Sequence, residues 1–169
     1  MTIHMTHALT LLECFRTALE ENGDAPATIC LRHGDQVNPS LGSSTDECCN
    51  GLAWVRIVSV EALRTRDDPS VRCLRTERIL TLEMGAVRCL PFGTVQAPPT
   101  CDQWTSVAIL ADEDHGAMEA ALCCAYNDLS EQGFRTVVAG PYEPTGPDGN
   151  CIGGTMRVVV ETDCGCTAT

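Results

Sequence analysis

Twelve cysteines and four histidines are the residues of this chain with the widest chemical range. Thiolate and imidazole groups can bind zinc together, or they can act as a nucleophile and its base. The histidines are His4, His7, His33 and His115. The cysteines are Cys14, Cys30, Cys48, Cys49, Cys73, Cys89, Cys101, Cys123, Cys124, Cys151, Cys164 and Cys166. Residue types alone therefore allow a metal site or a thiol enzyme.

The spacing of these residues argues against both. Zinc sites usually present two close CxxC-like pairs, whereas this chain has only the vicinal pairs Cys48-Cys49 and Cys123-Cys124 and the CxC at Cys164 and Cys166. No local signature joins a cysteine to a histidine. We therefore expect no catalytic residue, no cofactor and no bound metal. A cytosolic zinc- or thiol-dependent enzyme is the alternative from another class, and it requires bound zinc or one unusually reactive thiol.

The expected redox state of the cysteines follows from the absence of a secretory signal. A chain that folds in reducing cytosol keeps its thiols free, and buried thiols act as small apolar side chains. This interpretation is favoured for Cys14, Cys123 and Cys124. Cys89 and Cys101 flank the loop Leu90–Thr100 and are the pair most easily closed if oxidation follows release from the cell.

Two further motifs suggest chemistry only weakly. The glycine-rich segment 149–154 precedes a strand and not a helix, so it offers no helix N-terminus to a phosphate and predicts a turn. The cluster Asp112, Glu113, Asp114 and His115 could bind a cation, but it lacks an EF-hand loop. It is more typical of a solvated helix end.

Apolar spacing predicts two main helices. Met5–Leu19 carries one apolar stripe and should end at Asn22-Gly23. The second helix opens after Pro98-Pro99, with Thr100 or Asp102 as its N-cap. Its expected buried stripe is Trp104, Val107, Ala108 and Ala111, followed by a break at 112–114 or a continuation through Met118, Ala121, Leu122, Ala125 and Leu129.

Strand-like patterns lie between and after these helices. Leu52–Val60 is apolar on both faces, which predicts a central strand, and Arg78–Cys89 alternates between apolar and polar residues. Phe134–Ala139 and Gly153–Thr162 follow, joined by a turn-rich segment that looks too long for a tight hairpin. The expected core residues are Trp54, Leu80, Leu82 and Met84.

These elements predict an α+β fold for a single structural domain, residues 1–169. Its sheet should be mixed or antiparallel, with about four strands flanked by two main helices. Long loops are expected at Ala27–Asn50 and Gly140–Cys151. Residues 1–4 and 163–169 are expected to be loose termini.

The charge of the chain limits its partners. The formal net charge is −12, and all eleven basic residues are arginine. A surface this acidic repels DNA, since phosphate binding needs clustered cations. No apolar run approaches the roughly 18 residues of a membrane helix, so no membrane partner is expected.

Several segments, taken in order, resemble small structural proteins of actinobacterial tailed phages. Besides the N-terminal amphipathic helix and the long loop after it, they are Cys48–Arg56, Val87–Cys89, Asp114–Met118 and Cys151–Gly154. The order of segments is similar to that of tail terminators of phages with long, non-contractile tails. The resemblance covers most of residues 5–162. The richness in cysteine is a departure from that family.

The resemblance implies a virion structural protein with no enzymatic activity. Tail terminators form a homohexameric ring that caps the tail tube and joins it to the head-side connector. The implied partners are further copies of the chain, the major tail tube protein and the head-to-tail stopper, while DNA passes through the lumen without specific binding. The implied location is the head-tail junction of the virion, after assembly in the host cytoplasm. A head-to-tail stopper or adaptor is the alternative within this class.

Arg56 is the candidate interface residue. It is a lone charge on an otherwise apolar strand, so it must pair either with an acid at a subunit interface or with one inside its own subunit. The first alternative predicts that Arg56→Ala impairs ring formation more than subunit folding.

Overall fold

The described part of the chain forms two helices and one five-stranded sheet. The computed structural model describes residues 3–34, 51–63, 77–91, 98–131, 134–148 and 151–162. The elements in chain order are α1 (Ile3–Glu21), β1 (Thr28–His33), β2 (Leu52–Leu63), β3 (Glu77–Cys89), α2 (Cys101–Glu131), β4 (Phe134–Asp148) and β5 (Cys151–Thr162). The strand order across the sheet is β1-β2-β3-β5-β4. Of the described strand pairs, only β1 and β2 run parallel, so the predicted α+β class with a mixed sheet is confirmed.

One strand that the sequence did not predict is β1, which lies inside the segment predicted as the long loop Ala27–Asn50. Ile29 and Leu31 pack against the main core, while Arg32 is exposed. The alternation of apolar and polar residues in β1 covers only six residues, and glycine, proline and polar residues surround it. The sequence pattern is therefore too short to indicate a strand. Residues 35–50 of the predicted loop lie outside the described chain.

Strand β4 also extends through a predicted loop, because it continues to Asp148. Its pairing with β5 shifts register between Ala139 and Tyr142 and again between Thr145 and Asp148. Such irregularities accommodate prolines, which sheets accept on an outer strand like this one. Only residues 149 and 150 separate β4 from β5, so the prediction of a connection too long for a tight hairpin was wrong.

Helix α1 begins and ends close to its predicted bounds. It starts at Ile3, so the predicted loose segment 1–4 was wrong for its last two residues. Its end at Asn22-Gly23 is confirmed, since Gly23 adopts a φ of 83°, which glycine accepts without strain. The Gly23 N–H donates to the Glu20 carbonyl oxygen at 3.1 Å. The predicted loose segment 163–169 lies outside the described residues.

Helix α2 is continuous over 31 residues, so of the two predicted alternatives the continuation through 112–114 is the one that occurs. Thr100 is its N-cap: the Gln103 N–H donates to Thr100 Oγ1, and the Thr100 N–H donates to Gln103 Oε1. Of the predicted first stripe, Val107 is buried, but Trp104 and Ala108 are exposed. Within the described chain, no helix combines the length and apolarity that a membrane span requires.

Both helices pack on one face of the sheet. α1 lies over β1 and β2, and α2 lies over β3, β4 and β5. The main core joins Phe15 and Met118 of the helices to Val55, Leu82 and Val158 of the sheet. The opposite face carries a second cluster, formed by Leu52, Trp54, Val87 and Cys151. The predicted burial of Trp54, Leu80, Leu82 and Met84 is confirmed.

A disulfide between Cys14 and Cys124 links α1 to α2, with a Cα–Cα distance of 5.8 Å. The prediction of free thiols was therefore wrong for these two residues. A cross-link that spans 110 residues restricts the unfolded chain strongly, by on the order of 4 kcal/mol in the chain-entropy model. The positions are far apart in sequence, and only the packing of the two helices brings them together.

The remaining cysteine predictions were wrong about the burial of Cys123 and about the pairing of Cys89. Cys123 is a free thiol as predicted, but it is exposed and not buried. Cys89 is disulfide-bonded and Cys101 is a free, exposed thiol, so the Cys89–Cys101 pair does not form. Cys151 is also disulfide-bonded. Cys48, Cys49, Cys73, Cys164 and Cys166 lie outside the described residues.

His7 is the most deeply buried histidine of the described chain, with 1% of its surface exposed. Burial lowers its pKa to about 4, and the nearby charge of His4 adds to this effect. His4 itself lies 3.1 Å from a guanidinium nitrogen of Arg78. The folded protein therefore keeps His7 neutral at a pH at which the unfolded chain protonates it.

This difference predicts a loss of stability in mild acid. Between pH 6.5, the ordinary pKa of histidine, and about pH 4, the pKa of His7 in the folded protein, the unfolded chain binds a proton at His7 and the folded protein does not. The free energy of unfolding therefore decreases as the pH falls through this range. We expect the free energy of unfolding to fall by about 2 kcal/mol between about pH 7 and pH 5, measured by urea denaturation. His7→Leu should remove most of that decrease. Equal pH dependence in the two proteins would contradict this assignment.

Candidate functional site

The free thiols and the histidines do not meet in the part of the chain that the structure describes. Cys30, Cys101 and Cys123 are the free thiols there, and none is hydrogen-bonded to a histidine. Cys30 accepts a hydrogen bond from Arg32. His115 stacks on Tyr142 with 4.5 Å between the ring centroids. These residues form no nucleophile and base pair.

The predicted acidic cluster divides between two roles. Asp112 and Glu113 are exposed, whereas Asp114 is buried and paired with Arg88 of β3. The pair is bidentate, with distances of 2.9 Å from Arg88 Nε to Asp114 Oδ2 and 2.6 Å between Nη2 and Oδ1. The hydrogen bonds to Asp114 raise the pKa of Arg88. The prediction of a solvated helix end was therefore wrong, and the cluster does not gather its carboxylates around one cation site.

Arg56 takes the second of its two predicted alternatives, a partner within its own subunit. It lies directly opposite Glu83 in the register of β2 and β3. Its Nε donates to Glu83 Oε1 at 2.6 Å, Nη2 donates to Oε2 at 2.9 Å, and Nη1 donates to the Gly34 carbonyl oxygen at 2.9 Å. Arg157 of β5 approaches the same carboxylate at 3.5 Å. The pairing explains the charge on the apolar strand without an interface.

The Arg56–Glu83 pair is almost completely removed from water, with 7% of Arg56 and 4% of Glu83 exposed. Burial by itself opposes ionisation of Glu83. The hydrogen bonds and charge of Arg56 outweigh that effect and lower the pKa of the Glu83 carboxyl. The pair is therefore charged at neutral pH. Without Arg56, the buried Glu83 carboxylate would keep only the weaker contact with Arg157 at 3.5 Å.

An apolar groove lies between α2 and β4. Its volume is about 370 Å³, and it is lined by Leu122, Cys123, Tyr126, Asn127, Val137 and Ala139. Tyr126 is 55% exposed, so its ring forms part of the solvent-accessible wall of this groove. We call this feature the α2–β4 groove.

The α2–β4 groove adjoins an open edge of the sheet. Among the described strands, β4 pairs only with β5, so its outer backbone groups face away from the sheet. The strand at the other end, β1, pairs only with β2 in the same part of the chain. Within the described residues, β1 and β4 are thus the two outer strands, at opposite ends of the sheet.

Sequence reasoning did not identify the groove. Leu122 and Tyr126 stand four residues apart and therefore lie on one helix face, which is the signal that could have found it. Their significance depends on β4 being the outer strand, and this follows only from the sheet order.

Comparison with known protein-family models found no match, and comparison with curated proteins found none either.

The buried pair predicts that Arg56→Ala is a folding defect. The substitution removes the main counterion of the buried Glu83 carboxylate and leaves only Arg157, at 3.5 Å and largely exposed, so it should cost roughly 3 kcal/mol of unfolding free energy. The double substitution Arg56→Met with Glu83→Leu removes both charges and should recover most of that loss. Urea denaturation of the three proteins measures the effect. An Arg56→Ala protein of unchanged stability that fails only in assembly would restore the interface alternative.

Proposed function

We propose that this protein is a virion structural protein, a tail terminator whose homohexameric ring caps a phage tail tube and joins it to the head-side connector. The observation that carries the proposal is the α2–β4 groove beside an open sheet edge. The resemblance of the sequence segments and their order to tail terminators supplies the identity of the ring. The single-domain α+β fold agrees with both.

A closed ring of identical subunits requires two different surfaces that fit each other. Each subunit contacts one neighbour with the first surface and the other neighbour with the second. In our proposal, the α2–β4 groove and the β4 edge form the first surface. The second lies on the β1 side of the neighbouring subunit. Open strand edges and exposed apolar side chains are the features that such contacts cover.

The acidity of the chain suits a ring around DNA. Six copies would carry 6 × −12 = −72 formal charges. Negative charge along a lumen repels the phosphate backbone, so the genome slides through without binding. The proposed partners above and below the ring, the tail tube protein and the head-to-tail stopper, follow from the resemblance alone.

Replacing Tyr126 by aspartate tests the proposed contact. Tyr126 is exposed in the single subunit, so the charge should leave folding intact and prevent the groove from docking on a neighbour. We expect Tyr126→Asp to sediment as a monomer under conditions in which the unaltered protein sediments as a hexamer. Circular dichroism of both proteins checks that the fold is kept.

Trp104→Asp is the matched control, because Trp104 is an exposed aromatic residue of the same helix, with 42% of its surface accessible, and does not line the α2–β4 groove. This variant should remain hexameric. A hexameric Tyr126→Asp protein would contradict the proposed contact surface. An unaltered protein that stays monomeric at all concentrations would contradict the ring itself.

A further inference from the structure

Three potential metal ligands converge where α1 meets α2. They are Cys14 of α1 and Cys124 and Asp128 of α2, whose sulfur and carboxylate oxygen atoms all lie within 4.8 Å of one another. Cys124 and Asp128 are four residues apart and share one face of the helix. In the oxidised chain the two sulfurs form the disulfide, so they are not available as thiolates.

The convergence point opens onto solvent. A pocket of about 320 Å³ adjoins it and is lined by these three residues together with Thr10, Glu13 and Thr17. Cys14 is buried, whereas Cys124 and Asp128 are exposed. An ion can therefore reach the sulfurs from water, and a water molecule has room to complete its coordination. The Glu13 carboxylate lies in the same pocket, 2.6 Å from a guanidinium nitrogen of Arg16.

We propose that the reduced chain binds Zn²⁺ at Cys14, Cys124 and Asp128. A dithiol reductant donates two electrons and two protons, which break the disulfide into two thiols while the dithiol is oxidised to its own disulfide. Zn²⁺ then displaces both thiol protons and takes two thiolates and one carboxylate as ligands. Water supplies the fourth position of a tetrahedral site.

The ligand chemistry selects this class of ion. Thiolates are soft ligands that favour zinc, whereas calcium and magnesium require oxygen ligands only. The Cα–Cα distance of 5.8 Å between Cys14 and Cys124 leaves room for a metal bonded to both sulfurs, with zinc–sulfur bonds of about 2.3 Å.

The two states exclude each other but connect the same helices. In an oxidising environment the disulfide joins α1 to α2, and in reducing cytosol the zinc ion takes its place. The junction is therefore cross-linked in both environments. A search of the sequence for CxxC pairs does not detect this site, because its two cysteines lie on different helices and are 110 residues apart in sequence.

The test uses the full chain, reduced with a phosphine and then freed of it, with Zn²⁺ alone as the probe. Other cysteines of the chain can bind zinc after reduction, so the informative quantity is the difference between variants. We expect the reduced unaltered protein to bind one zinc ion more than reduced Cys14→Ser, as counted by native mass spectrometry. The oxidised protein should lack this ion.

Asp128→Asn keeps both sulfurs and changes an exposed residue, so it tests the site even if Cys14→Ser folds poorly. It should weaken the binding of that zinc ion at least about tenfold in a chelator competition. Substituting a residue that only contacts a metal ligand already has an effect of this size, and Asp128 is proposed as a ligand itself.

Cys123→Ser is the matched control, since Cys123 is the neighbouring thiol that lines the α2–β4 groove, and this variant should bind zinc like the unaltered protein. Equal zinc content and affinity in the unaltered protein, Cys14→Ser and Asp128→Asn would overturn the proposal. So would a loss in Cys123→Ser as large as in Cys14→Ser.

Discussion

The ion pair between Arg88 of β3 and Asp114 of α2 fixes how the long helix lies on the sheet. The pair is bidentate and its carboxylate is buried, so sliding α2 along the sheet would separate two desolvated charges. Arg88 also lies 3.7 Å from Asp24, which follows α1. With Asp114 held in place, the later turns of α2 bury Met118, Ala121 and Ala125. The same placement leaves Tyr126 beside β4, where it lines the groove.

A second buried pair has a corresponding role on the other face of the sheet. Arg56 and Glu83 lie directly opposite each other on β2 and β3, and both are buried. A slip of one residue between these strands would separate the charges and would also move Trp54 to the helix-covered face. Trp54 packs over Gly85, where any side chain would overlap the indole ring. The pair and the indole therefore specify a single register for the two central strands.

Periodicity predicted the parts of this fold whose patterns are long. α1, β2, β3 and β5 were identified because their apolar residues recur over about ten positions or more, which is enough to distinguish a helix from a strand. β1 was missed because an alternation over six residues is too short to identify a strand. The second half of β4 was missed because its prolines and glycines are typical of a turn. Both errors concern the outer strands, where the proposed contacts lie.

The candidate site was less predictable than the fold because its features depend on pairings across the chain. Arg56 was identified as unusual, but its partner depends on the register between β2 and β3. The Cys14–Cys124 disulfide depends on the packing of α1 against α2, which no local pattern encodes. The groove depends on β4 being the outer strand. Each of these needs a fact about which elements are neighbours, and sequence spacing alone does not contain it.

The ring is the central claim, and the mass of the intact assembly tests it most directly. Native mass spectrometry of the purified, unaltered protein reports the number of subunits in one spectrum. The account predicts a species at six times 18.1 kDa. A protein that remains a monomer at every concentration, or that forms only dimers, would contradict it.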